Sequence, residues 1–138
     1  MTERYYLDSC IWRDYFENRS DKFRPLGDWA FSLIKLIIKE DNLIIYSDLI
    51  EEELNEGFSE EDVKKIISIV PKENLVKIES SSEQLKEAIQ KAKKLDIPVK
   101  DALHAILARD NDAVMVTRDK HFYELSERLT IKKPEDLI

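Results

Sequence analysis

The sequence predicts an α/β fold in three layers, with a mainly parallel sheet of about five strands flanked by helices. Three observations carry that prediction. Short apolar runs rich in β-forming residues alternate with longer stretches of helical period, and the gaps between runs are long enough for crossover helices. Three of the runs are followed within three residues by an aspartate, the residue type that opens a helix after a strand. The 138 residues contain no repeat, low-complexity tract or linker, so residues 1–138 read as a single domain able to bury one core.

The strands are expected at Arg4–Leu7, Leu43–Tyr46, Leu75–Ile78 and Ala113–Val116, with a short fifth at Thr130–Ile131. A first helix follows Asp8 through Trp12 and Phe16. The segment Asp28–Glu40 carries Trp29, Phe31, Leu33, Ile34, Leu36, Ile37 and Ile38, which cover more of a helix than a single stripe of about 100°. That breadth fits a helix packed on two sides within the chain or one that also meets a partner. The next helix places Val63, Ile66, Ile67 and Val70 on one face, opened by Ser59 with Asp62 three residues on and closed by Pro71. From Glu83 to Leu95 the period turns Leu85, Ala88, Ile89, Ala92 and Leu95 inward and most lysines outward. Pro98 then breaks the chain before a helix over Val99–Arg109.

Composition removes several function classes. Two glycines, Gly27 and Gly57, are too few for a P-loop, a dinucleotide-binding turn or a hydrolase nucleophile elbow. One cysteine, Cys10, excludes an internal disulfide and reads as a small core residue. With 29 acids against 22 bases and a net charge of −7, the chain is unsuited to coating DNA electrostatically. No signal peptide or apolar run of about 18 residues is present, which predicts a cytoplasmic protein outside the membrane.

The positions of the acids say more than their number. Asp8, Asp48 and Asp119 each follow a strand, and in a parallel sheet the carboxyl ends of the strands share the edge where ligands bind. Asp101 opens the helix after Pro98, and Glu51, Glu52 and Glu53 lie in the first turns after the second strand. Several of these acids also have an ordinary explanation, although Glu53, one turn after the apolar Leu49, is harder to dismiss. Asp8 and Asp119 suit helix caps, Asp48 with Glu51 suits a capping box, and Glu52 suits a solvated helix face. Carboxylates gathered at one edge stay ionised together only against bound positive charge. An oxygen-only donor set favours Mg²⁺ or Mn²⁺, and a pair of such ions about 3.5–4 Å apart suits phosphodiester hydrolysis.

At these residues the chain resembles the PIN-domain family, especially the VapC-like toxin ribonucleases and their archaeal relatives. The matching stretches are Tyr-Leu-Asp-Ser at 6–9, Ser-Asp-Leu-Ile-Glu-Glu-Glu-Leu at 47–54, Pro-Val-Lys-Asp-Ala-Leu-His-Ala at 98–105 and Val-Thr-Arg-Asp-Lys-His-Phe at 116–122. The resemblance implies Asp8, Glu53, Asp101 and Asp119 as the catalytic acids and ligands of one or two Mg²⁺ or Mn²⁺ ions, with Glu52 as the adjacent alternative in the second motif. It assigns supporting roles to Thr117 and Ser9 and implies an RNA substrate, a homodimer and a small antitoxin partner.

Candidate RNA contacts are Arg13, Arg19, Lys22 and Arg24 around the loop at 18–26, and Arg118, Lys120 and His121 around the last acid, all of which are equally explained as solvated charges. Phe23 offers a stacking surface, and His104 reads as a packed or hydrogen-bonded histidine. The chemistry therefore predicts a Mg/Mn-dependent endoribonuclease. Two alternatives are a receiver-like signalling domain using Asp8, Asp48, Thr117 and Lys133, and a PIN-fold binding module without turnover.

Overall fold

A computed structural model gives the structure of the protein and describes residues 2–125 and 127–138. Five strands, β1 (Arg4–Leu7), β2 (Leu43–Ser47), β3 (Leu75–Ile78), β4 (Val114–Val116) and β5 (Ile131–Lys132), form one sheet in the order β3-β2-β1-β4-β5. Every pairing is parallel, so the sheet is more uniform than the mainly parallel one expected. Register is set at β1, where Tyr6 stands opposite Ile45 of β2 and Met115 of β4.

The helices are α1 (Ser9–Glu17), α2 (Leu26–Lys39), α3 (Asp48–Asn55), α4 (Glu60–Ile67), α5 (Ser82–Leu95) and α6 (Val99–Asp110). From β1 to β3 the chain steps outward in one direction, and from β3 to β4 it crosses back over. Right-handed crossovers therefore send α1–α4 to one face and α5 and α6 to the other. Packing agrees: α1 meets α2, α3 and α4, whereas α5 lies on α6 and α6 on β4. Tyr6, Leu7, Ile44, Ile45, Met115 and Val116 are enclosed between the layers. The reversal between β1 and β4 opens a crevice beyond their carboxyl ends, the switch point of an open α/β sheet.

Local signals explain the helix ends. Ser59 accepts the Asp62 amide at 3.1 Å, as its spacing predicted, and Ser81 with Gln84 forms a reciprocal capping box. Asn18 and Asp96 end α1 and α5 in the left-handed region, at φ 48° and 54°. The expected capping box of Asp48 and Glu51 is not formed. Ser47 caps α3 by accepting the Ile50 amide at 3.2 Å, because it is the last extended residue before the turn. Asp48 instead accepts from the Ser80 amide and hydroxyl at 2.9 and 2.8 Å, tying α3 to the chain after β3.

The inward stripe expected on α5 is also corrected. Ala88 and Ala92 are buried, while Leu85, Ile89 and Leu95 are exposed, because the contact with α6 is made through the small residues. Of the broad apolar surface on α2, Ala30, Leu33, Ile34 and Ile37 are buried, but Phe31 remains 44% exposed with Lys35 over its ring. Beside it, Tyr15, Ile34, Ile38 and Ile69 line a cleft of about 240 Å³.

The α5–α6 hairpin is clamped by Arg109, which donates to both Glu87 oxygens at 2.6 and 2.9 Å. This holds the Glu87 carboxyl down to about 2 from 4.5. A lowered carboxylate stabilises the fold above its unfolded pKa and loses that effect as pH falls from 4.5 towards about 2. With the pair open to solvent, Glu87→Gln is expected to cost about 1 kcal/mol, or ~3 °C in Tm, at neutral pH. Thermal melts across pH should show the deficit closing in acid; a deficit that persists there would rule out the ion pair as its source.

Candidate metal centre

The crevice between β1 and β4 is where the predicted acids meet. Asp8 is the residue after β1, and its amide continues the ladder by donating to Val116 O at 2.9 Å. Its carboxylate accepts from the Ser9 amide at 2.8 Å, from Thr117 Oγ1 at 2.8 Å and from the Cys10 thiol at 3.6 Å. Asp8 therefore does cap α1, and it is also the fixed centre of the acid group. Thr117 Oγ1 in turn accepts the Asp119 amide at 3.0 Å, so a single hydroxyl orders the acids that follow β1 and β4. The Asp119 carboxylate accepts the His121 amide at 2.9 Å, opening the short 3₁₀ turn at Lys120–Leu125.

The other acids arrive from helices. Glu53 lies in the second turn of α3 and accepts from His104 Nε2 at 2.7 Å, while its backbone carbonyl accepts from Arg13 Nη2 at 2.7 Å. Glu52, the adjacent alternative, is exposed. Asp101, in the first turn of α6, faces Asp119 across His121, whose Nδ1 lies 3.4 Å from an oxygen of each. Two groups of donor atoms result, Asp8 with Glu53 and His104, and Asp101 with Asp119 and His121, each within 4.8 Å.

The electrostatics mark an excess of negative charge. Among the described residues, no lysine or arginine forms an ion pair with any of the four acids; Glu53, Asp101 and Asp119 have histidine side chains as neighbours instead. Burial raises the Asp101 pKa and the negative charge of Asp119 raises it further, against the hydrogen bond from His121. Burial also acts to raise Glu53, yet the bond from His104, with help from Ser9 and Lys100, brings it below its ordinary value. The Cys10 thiol is pushed upward by burial and by Asp8, so it stays protonated. An all-oxygen set of four carboxylates without a fixed counterion matches the donor chemistry of Mg²⁺ or Mn²⁺. His104 is less suited as a ligand, since Nδ1 is engaged with the Tyr6 hydroxyl at 2.7 Å and Nε2 with Glu53.

The cations predicted to face RNA divide into two kinds. Arg13 is spent on the Glu53 carbonyl. Arg118, only 14% exposed in its side chain, pairs with Asp14 at 3.3 Å and Glu135 at 3.0 Å and lies over the Trp29 ring. Both are held by acids or a carbonyl on neighbouring elements, which gives each a structural role. Arg19 and Arg24 are exposed and pair with Glu17 and Asp21. Lys22, Lys120 and His121 are exposed, and Phe23 is 97% exposed at the tip of a tight hairpin closed between Asp21 and Arg24. Tyr6 and Ser47 escaped sequence reasoning altogether, although Tyr6 precedes Asp8 by two residues and so shares its strand face.

No protein-family model matches the chain, and no curated protein matches it. Solved structures do match along nearly its whole length. VapBC2 from Rickettsia felis, solved bound to a DNA fragment from its promoter, is 18% identical and superposes with a TM-score of 0.68 over 94% of this chain and 98% of that one. A toxin–antitoxin complex from Klebsiella pneumoniae is 17% identical, with a TM-score of 0.62 over 94% and 97%. VapBC-1 from nontypeable Haemophilus influenzae is 18% identical, with a TM-score of 0.65 over 96% and 98%. The chain has the fold of these proteins, the PIN-like α/β/α fold that its sequence resemblance implied.

Proposed function

We propose that this chain, built on the fold of those toxin–antitoxin proteins, is a metal-dependent endoribonuclease and the toxin member of such a pair. The observation that carries the reading is that Asp8 with Glu53, and Asp101 with Asp119, drawn from four separate parts of the chain, supply two groups of donor atoms with no lysine or arginine ion-paired to them among the described residues. In this reading the four acids hold one or two Mg²⁺ or Mn²⁺ ions. A divalent cation, when bound, supplies positive charge against the scissile phosphate and makes water a better nucleophile. The protein's own part is to orient the donors: Ser9 and Thr117 hold the two oxygens of Asp8, and Thr117 also anchors the Asp119 backbone. Lys120 beside Asp119, and Lys22 and Arg24 on the hairpin, supply cations for RNA phosphates, and exposed His121 supplies a further hydrogen-bonding group.

Attack by water, rather than by a ribose 2′-hydroxyl, predicts 5′-phosphate and 3′-hydroxyl ends. The test is cleavage of a labelled RNA with Mg²⁺ or Mn²⁺ and with EDTA. Chelation is expected to abolish cleavage, and 2′,3′-cyclic phosphate ends or full activity in EDTA would defeat the mechanism. A receiver-like role is disfavoured because the carboxylate of Asp48, its required phosphoacceptor, is taken up by Ser80.

The partner reading adds a small antitoxin, a homodimer and a cytoplasmic setting; no helix among the described residues is long and apolar enough to cross a membrane. The cleft beside α2 is the antitoxin site in this reading. Ile34 is buried and a charge there would report on folding, so exposed Phe31 is the better probe. Phe31→Glu is expected to weaken binding of the small protein encoded beside this chain by about 30-fold, the loss of one aromatic anchor, without changing RNA cleavage by the free protein. Calorimetry measures the affinity, and an unchanged value would remove the cleft from the interface.

A further inference from the structure

Behind the acids runs a buried chain of hydrogen bonds. Ser47 Oγ lies 2.7 Å from the Tyr6 hydroxyl, that hydroxyl 2.7 Å from His104 Nδ1, and His104 Nε2 2.7 Å from Glu53 Oε1. Ser47 and Tyr6 are fully enclosed and His104 is 1% exposed. The direction of the chain follows from what each group can do. An ionised carboxylate only accepts, so Nε2 carries the imidazole proton and donates it to Glu53. With the ring neutral, its one lone pair is on Nδ1, and Tyr6 donates into it. The Tyr6 oxygen accepts from the Ser47 hydroxyl, and Ser47 Oγ accepts the Ile50 amide. In this arrangement each of these side chains has a hydrogen-bond partner although the chain is buried.

We propose that His104, backed by Tyr6 and Ser47, is a positioning residue that occupies one oxygen of Glu53 and presents the other to a cation shared with Asp8. This rests on the reading of the acids as a metal site. The members of the chain sit on the elements that carry the ligands. Tyr6 is two residues before Asp8 on β1, Ser47 caps the helix that bears Glu53, and His104 is one turn beyond Asp101 on α6. The chain thus locks three donor-bearing elements to one another. A glutamate on a free stem loses rotamer entropy when it binds and can turn both oxygens to the ion; one already held by an N–H does neither.

The test titrates metal-free protein with Mn²⁺, followed by electron paramagnetic resonance, and reads the imidazole nitrogens by ¹⁵N NMR before metal is added. The NMR is expected to show His104 protonated at Nε2 and bare at Nδ1. Tyr6→Phe, which keeps the ring and removes the donor behind Nδ1, is expected to weaken Mn²⁺ binding about 10-fold, and His104→Leu by up to about 100-fold. His104→Gln retains an N–H for Glu53 and is expected to stay within about 3-fold of wild type. In RNA cleavage the same variants should lower kcat and leave KM unchanged.

A folded Tyr6→Phe protein with wild-type Mn²⁺ affinity, or a ring protonated at Nδ1, overturns the proposal. Should His104→Leu fail to fold, these two readouts still decide it. Glu53→Gln separates the levels: if it binds Mn²⁺ as wild type does, the metal-site reading falls as well, whereas its loss of binding beside an unaffected Tyr6→Phe removes only the positioning role.

Discussion

Asp8→Asn is expected to lower RNA cleavage on the order of 10³-fold, with KM for RNA little changed. The substitution keeps the shape of the side chain and an oxygen for the Ser9 amide, while removing the charge at the centre of the acid group. Asp101 is raised first by burial, then by Asp119 and less by Asp8, so the substitution should relax it slightly towards its ordinary value. This loss of repulsion offsets part of the lost acceptor for Thr117, leaving Tm far less affected than activity. Activity and stability therefore separate. If Asp8 acted only as the cap of α1, the substitution would leave cleavage intact, since asparagine caps a helix as well as aspartate does. Single-turnover kinetics beside thermal melts distinguish the two outcomes.

Arg118→Ala should have the largest effect on folding. It leaves Asp14, whose side chain is 5% exposed, without its guanidinium partner and removes the cation over Trp29. Breaking a buried pair from one side costs about 3 kcal/mol, or ~10 °C in Tm for a chain of this size. The pH dependence follows from Asp14. Burial raises its pKa above 3.8 and Arg118 opposes the rise, so without Arg118 the carboxyl climbs further. A raised carboxyl makes the folded state the stronger proton binder, and stability is regained as pH falls through that raised value. The deficit of Arg118→Ala should therefore be greatest at neutral pH and shrink in acid, and Asp14→Asn should rescue part of it in the double variant. An arginine that only met RNA would show the reverse, an unchanged melt and a higher KM.

What the sequence revealed and what it hid have physical reasons. The strands and the helix carrying Val63, Ile66 and Ile67 were legible because they obey a period of two or of 3.6 and end at caps or prolines. Leu85, Ile89 and Leu95 misled because period shows that a face is apolar, not that a neighbour covers it; small Ala88 and Ala92 won the contact. That Asp8 and Asp119 share an edge could be anticipated from strand ends, since a parallel sheet puts those ends together whatever their spacing in the chain. Glu53 and Asp101, by contrast, reach it from helices, and Asp48, also past a strand end, is tied to Ser80. The fate of individual cations could not be anticipated. Arg13 and Arg118 look like Arg19 and Lys22 in one dimension, and only the approach of α1, α2, α3 and the Pro134–Asp136 turn shows which guanidinium is already taken. Tyr6 was hidden for a related reason, as an aromatic in a strand announces core and gives no sign of a hydroxyl bonded within it.

The central place of β1 also bears on when the acids can come together. It precedes the other four strands of the sheet, yet one of its two neighbours, β4, begins only at Val114, after every helix described above. During synthesis Asp8 therefore waits for Thr117 and Asp119, and a nascent chain that stops before β4 has one wall of the crevice and no Thr117 hydroxyl to order it. Pairing so distant in sequence is slow to form. If the acids act on RNA as proposed, a chain without β4 lacks the assembled site, so cleavage waits for the last third of the sequence.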